Sequence, residues 1–108
     1  MVKCFAPAVV IDFIKSVKIN EFNRPLISQI VRSATSIGAN YVEADGGVSK
    51  KDFRNKIGIC KKEAKETKHW LRMMSKACPD KVEDCRKLWK EAHELVLIFS
   101  KIFNSSKD

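Results

Sequence analysis

Seven basic residues on one stretch of this chain could do chemistry together: Lys51, Arg54, Lys61, Lys65, Lys68, Arg72 and Lys76. They recur at spacings of three and four, with Gly58 in the one gap, so on a helix they form a single stripe. At a rise of roughly 1.5 Å per residue, Lys51 to Arg72 spans about 31 Å. Duplex DNA carries a phosphate about every 1.7 Å of axis, so such a stripe faces many charges at once. Gly58 reads as a bare spot where a phosphate backbone approaches closely. No aromatic residues interleave with the stripe. That predicts sequence-independent phosphate contact and not base stacking. The competing reading is a solvated face, since Lys-rich exposed helices are common. Against it, the stripe is one-sided and has few acidic partners at i,i+4.

The charge balance supports the stripe. The chain has 108 residues and a formal net charge of +8, from 21 Lys and Arg against 13 Asp and Glu. Residues 49–77 hold ten of the basic and three of the acidic residues, so nearly all the excess lies in one segment. A surface of this kind attracts nucleic acid, an acidic protein or an anionic membrane.

Other chemistry finds less support. Glu63 and Glu66 lie on a different face from the stripe, with Ile59, Trp70 and Met73. Arg32 is the expected ion-pair partner, for Glu66 above all. A di-iron bundle needs Glu-x-x-His on two helices; Glu66-Thr67-Lys68-His69 has that spacing, and Glu91-Ala92-His93 does not. His69 and His93 read as surface or rim residues. Ser33 and Ser36 have no recognisable base or oxyanion loop nearby. Trp70, Trp89 and Tyr41 read as core or interface residues. Cys4, Cys60, Cys78 and Cys85 contain no C-x-x-C pair, so reduced thiols and a cytoplasmic location are expected, with no metal and no cofactor. The apolar opening FAPAVVIDFI is interrupted by Asp12 and followed by Lys15, which speaks against a signal peptide. No apolar run approaches a membrane span.

The elements that position these residues are helices. Apolar residues recur with helical spacing throughout, and no period-two stretch argues for a strand. Four helices are expected, at about 7–18, 25–44, 49–77 and 81–103, in one domain. Val9, Val10, Phe13, Ile14 and Val17 face inward on the first. Pro25 suits the first turn of the second, and Gly46-Gly47 ends it. Ser49 with Asp52 resembles a capping box for the third, whose seam runs Phe53, Ile57, Cys60, Ala64, Thr67, Leu71, Met74. Pro79 stops it, and Asp80 is expected to cap the fourth. Short connections favour antiparallel neighbours, hence an all-α, up-down-up-down four-helix bundle.

The second helix carries RSATSIGAN at residues 32–40, a poor helical sequence. Ser, Thr and Asn offer the backbone competing hydrogen bonds, and Gly costs about 1 kcal/mol against Ala. Close packing must offset this. Ser33, Ile37 and Asn40 share one seam, where polar residues fix register by pairing with a particular partner. Ala34, Gly38 and Tyr41 share the next. Gly38 either accommodates Trp70 or Trp89 within one chain or lies at a subunit interface.

The motifs QIVRSATSIGAN, VEA, SKKDF and EAKETKHWLRMM, in that order, resemble the four-helix bundle proteins often encoded within intervening sequences of bacterial 23S ribosomal RNA genes. The accessory protein of diversity-generating retroelements, which works beside a reverse transcriptase, is a member of the same family. Asn40-Tyr41-Val42-Glu43-Ala44 stands where the family often has Asn-Ile-Ala-Glu-Gly. The resemblance implies a homopentameric ring, a basic surface suited to RNA or DNA, and no enzymatic activity. The expectation is a non-enzymatic nucleic-acid-binding protein. The alternative is a protein–protein adaptor, such as a reverse transcriptase subunit.

Overall fold

A computed structural model describes residues 7–46 and 49–106. Its elements are α1 (Pro7–Lys15), α2 (Arg24–Asp45), α3 (Lys50–Ala77), a single 3-10 turn (Pro79–Lys81) and α4 (Val82–Ser105). All described regular structure is helical. The long helices make an elongated body of 47 × 19 × 19 Å.

α3 is the axis of the fold, because it alone touches both α2 and α4 extensively. Its seam of Ile57, Cys60, Ala64, Thr67, Leu71 and Met74 is buried. It meets Ile30, Ala34 and Ile37 of α2 and Cys85, Leu88, Ala92, Leu95 and Phe99 of α4 in one core. Cross-helix pairs show the directions. Arg32 meets Glu63 and Glu43 meets Lys56, so α2 and α3 are antiparallel. Lys68 meets His93 and Arg54 meets Phe103, so α3 and α4 are antiparallel too.

Helix ends follow local chemistry. Pro25 stands in the first turn of α2, where its missing N–H leaves no bond unmade. Ser49 caps α3 by accepting a hydrogen bond from the Asp52 N–H at 3.1 Å. Asp80 does not cap α4: Pro79, Asp80 and Lys81 form the 3-10 turn, and α4 has no side-chain cap. Gly46 ends α2 with φ −91°, outside the left-handed region, and its N–H reaches Val42 O at 3.2 Å. Gly47 and Cys4 lie outside the described residues. α1 stops at Lys15, short of the expected Lys18, because the N–H groups of Ser16 and Val17 bond Phe13 O and Ile14 O three residues back. Val17 is buried nonetheless. α4 runs to Ser105, two residues past the expected end, and the Ser105 hydroxyl closes it on Lys101 O at 2.8 Å.

The connection after α1 is held by asparagines. Asn20 Oδ1 accepts from the backbone N–H groups of Phe22 and Asn23. Asn23, fully buried, accepts from Asn20 N–H and donates to Lys18 O at 3.0 Å and to Cys78 Sγ at 3.4 Å. The α1–α2 and α3–α4 connections therefore meet at one end of the molecule.

RSATSIGAN divides by face. Ser33, Ala34 and Ile37 are buried in the core. The Ser33 and Thr67 hydroxyls lie 2.8 Å apart across the α2–α3 seam, so Ser33 has a specific partner. Asn40 does not: its amide donates to Ser36 O and Ser36 Oγ on its own helix. Tyr41 is half-buried, with its ring centroid 6.2 Å from that of Phe99. Gly38 accommodates neither Trp70 nor Trp89: no atom of the described chain beyond its own helix lies within 4 Å of where a Cβ would stand. Replacing Gly38 by Ala is therefore expected to raise thermal stability by about 0.5–1 kcal/mol, through helix propensity alone. A concentration-dependent fall in melting temperature would instead show a second copy seated against Gly38.

Candidate nucleic-acid interface

The heptad seam of α3 fixes where its cations go. With the seam buried, the stripe falls on the side towards α4 and solvent, and Glu63 and Glu66 fall on the side towards α2. Lys51, Lys65, Arg72 and Lys76 are exposed, while Arg54, Lys61 and Lys68 are half-buried. None of the seven makes an ion pair among the described residues, whereas Lys56 off the stripe pairs with Glu43 at 2.7 Å.

Three members are held by aromatic rings of α4. The Arg54 guanidinium lies 3.7 Å from the Phe103 ring centroid, and its Nε donates to Phe103 O at 3.2 Å. Lys68 Nζ lies 4.7 Å from the Trp89 ring, and Arg72 lies 5.8 Å from it. His93 stacks on Trp89 with 10° between the planes and centroids 5.2 Å apart. Lys68 Nζ is 3.0 Å from His93 Nδ1. The ammonium only donates, so Nδ1 is the acceptor of this contact. A ring quadrupole orients each cation, an arrangement worth about 0.5–2 kcal/mol per contact.

Two expectations fail here for one reason. Aromatic residues do flank the stripe, but they come from α4. Gly58 is no bare spot: a Cβ there would stand 3.2 Å from Phe103 Cε1, so the Phe103 ring already fills the space. Helical periodicity places a residue on a face without saying which neighbour covers that face.

On the opposite side, Arg32 grips two carboxylates. Its Nη1 donates to Glu63 at 3.1 and 3.3 Å, and its Nη2 to Glu66 at 2.5 Å. Gln29 Oε1 accepts from Nε at 2.9 Å and orients the guanidinium. The Glu63 side chain is 8% exposed, that of Arg32 45%. Glu63 therefore relies on Arg32 for its counter-charge.

The remaining reactive groups are muted. Burial pushes the thiols of Cys60 and Cys85 up to about 11, and Cys85 is raised further by Cys78 and Asp84. Neither thiol supplies thiolate near neutral pH. Burial, then Glu94, raises the carboxyl of Glu91. Among the described residues no three His, Cys, Asp or Glu side chains are grouped to hold a metal ion. No described helix is long and apolar enough to cross a membrane. His69 sits edge-on against Trp70, whose buried Nε1 has no hydrogen-bond partner among the described residues.

The fold and this surface define a class: an all-helical protein whose charge is concentrated on one face of its central helix. The chain belongs to the 23S rRNA-intervening sequence protein family, whose model matches residues 8–101. It is similar to a crystal structure of a protein of unknown function from the S23 ribosomal protein family of Bacteroides thetaiotaomicron. That likeness has 28% identity and a TM-score of 0.77, and covers 95% of this chain and 98% of the other. No curated protein matches the sequence.

The arginine clamp yields a stability prediction. Arg32→Met strands the Glu63 carboxylate and is expected to lower unfolding free energy by about 1–3 kcal/mol, less than for a fully buried pair because Arg32 is half-exposed. Adding Glu63→Gln should recover part of the loss. Urea unfolding of both variants measures this, and an unchanged midpoint for Arg32→Met would refute the clamp.

Proposed function

We propose that the protein is a non-enzymatic, oligomeric nucleic-acid-binding protein that grips phosphate backbones through α3. The observation that carries this reading is the stripe itself: seven cations along about seven turns of one helix, none neutralised by a carboxylate among the described residues. A face that served only solubility would more often mix signs, as Lys56 with Glu43 and Arg86 with Glu83 do elsewhere on this surface. Lys51, Arg54, Lys61, Lys65, Lys68, Arg72 and Lys76 are the proposed contacts. The family's description refers to 23S rRNA, which makes RNA the first polymer to test.

In this reading the four helices form an up-down-up-down bundle that assembles as a homopentameric ring in the cytoplasm. Support for the topology comes from the antiparallel α2–α3 and α3–α4 pairs and from the two connections meeting through Asn23 and Cys78. Support for assembly comes from apolar side chains left in solvent: Phe22 at 83%, Val42 at 71% and Leu97 at 57% exposed. Those same side chains favour a second reading, an adaptor that docks a protein such as a reverse transcriptase.

Charge reversal separates the readings. Lys61, Lys65 and Lys76 lie over no aromatic ring among the described residues, so changing all three to Glu should leave the helical signal and melting temperature intact. Affinity for RNA and DNA is expected to fall for every sequence. On duplex the salt slope should become shallower by about 0.9 for each phosphate that is no longer neutralised. Unchanged affinity would reject α3 as the interface.

A further inference from the structure

A pocket of about 310 Å³ opens between α3 and α4, at the end of the molecule where these helices connect. Leu71 and Cys85, both buried, form its floor, and Trp89 lines it. Arg72, Arg86 and Lys90, all exposed, stand around it. Glu83 neutralises Arg86 at 2.8 Å, whereas Arg72 and Lys90 have no carboxylate partner among the described residues. The volume lies at the low end of small-molecule sites, roughly 300–1,000 Å³. It has room for one flat ring system and none for a duplex.

The lining specifies its occupant. An apolar, aromatic-lined floor beneath unpaired cations suits a planar body covalently joined to an anion. A nucleotide has that form: the base fills the apolar space and the phosphate meets the rim. Arg72 belongs both to the stripe and to the pocket, so a backbone tracking the stripe is led to the pocket mouth. Bases inside a duplex are stacked and cannot enter, whereas those of a single strand can turn out. We infer that the α3–α4 pocket receives an unpaired base of a single-stranded RNA or DNA whose phosphates run along α3. This rests on the nucleic-acid reading above and adds a preference which that reading lacks. Charge density alone favours the duplex, so a preference for the single strand has to come from base contact.

The test uses the full chain carrying Trp70→Phe, which leaves Trp89 as the sole tryptophan and removes no hydrogen bond to the described residues, since Trp70 Nε1 makes none there. A 12-nucleotide single strand, the duplex of equal length and a nucleoside monophosphate are titrated at one salt concentration. The strand is expected to quench Trp89 emission and to bind about tenfold tighter than the duplex, the size of one base contact. Ser75 also lines the pocket, and Ser75→Leu fills it without changing charge. This variant should lose the quenching and the tenfold preference while keeping its duplex affinity. Equal binding of strand and duplex, with Ser75→Leu silent, overturns the inference and leaves the phosphate-binding reading standing. Binding of neither polymer at low salt overturns both. Quenching by the monophosphate at lower concentration than by the strand overturns the strand assignment in favour of a free nucleotide.

Discussion

α3 has to satisfy three environments at once, and the rest of the structure follows from how it does so. Its heptad seam is buried against α2 and α4 together. One flank meets α2 through Glu63, Glu66 and the Thr67 hydroxyl. The other flank, towards α4 and water, receives the cations. A 28-residue helix offers about eight turns, so seam, clamp and stripe run side by side along most of its length. The Arg32 clamp and the Ser33–Thr67 hydroxyl pair fix α2 in register. Slipping α2 by one residue would part Glu63 from its counter-charge and break the bond between the Ser33 and Thr67 hydroxyls, each of which would keep only a carbonyl of its own helix.

The cation flank is more ordered than a solvated lysine face. Arg54 rests on Phe103, and Lys68 and Arg72 gather around Trp89. These contacts restrict long side chains that would otherwise lose rotamer entropy on meeting a ligand. Restriction in the free protein lowers that entropic penalty on binding. The other members differ, since Lys51, Lys61, Lys65 and Lys76 make no such contact among the described residues. The flank thus combines cations held against α4 with lysines that no ring restrains, a pattern that suits a polymer gripped at several points.

Much of this was legible in the sequence because it depends on one helix at a time. The seam from Ile57 to Met74, the separation of Glu63 and Glu66 from the stripe, the Ser49 cap and the family resemblance all follow from spacing or from short motifs. What was illegible depends on two helices at once. Phe103 covering Gly58 and Trp89 beside Lys68 need the α3–α4 register, which periodicity does not supply. Asn40 departs from its expected pairing because an asparagine on a seam has two outlets, a neighbouring helix or its own backbone turn, and Ser36 one turn away offers the second. Asp80 departs from its expected cap because Pro79 tightens the chain into a 3-10 turn and moves the start of α4 beyond it.

The most direct measurement is the affinity of the unmodified protein for a structured RNA, and for a DNA duplex, across a salt series. If the four exposed stripe cations, Lys51, Lys65, Arg72 and Lys76, each neutralise a phosphate, log affinity for the duplex falls with log salt at a slope of about −3 to −4. The structured RNA should show a steep fall of the same kind. Absence of binding to either polymer at low salt would contradict the account and make the stripe of α3 a solvated surface.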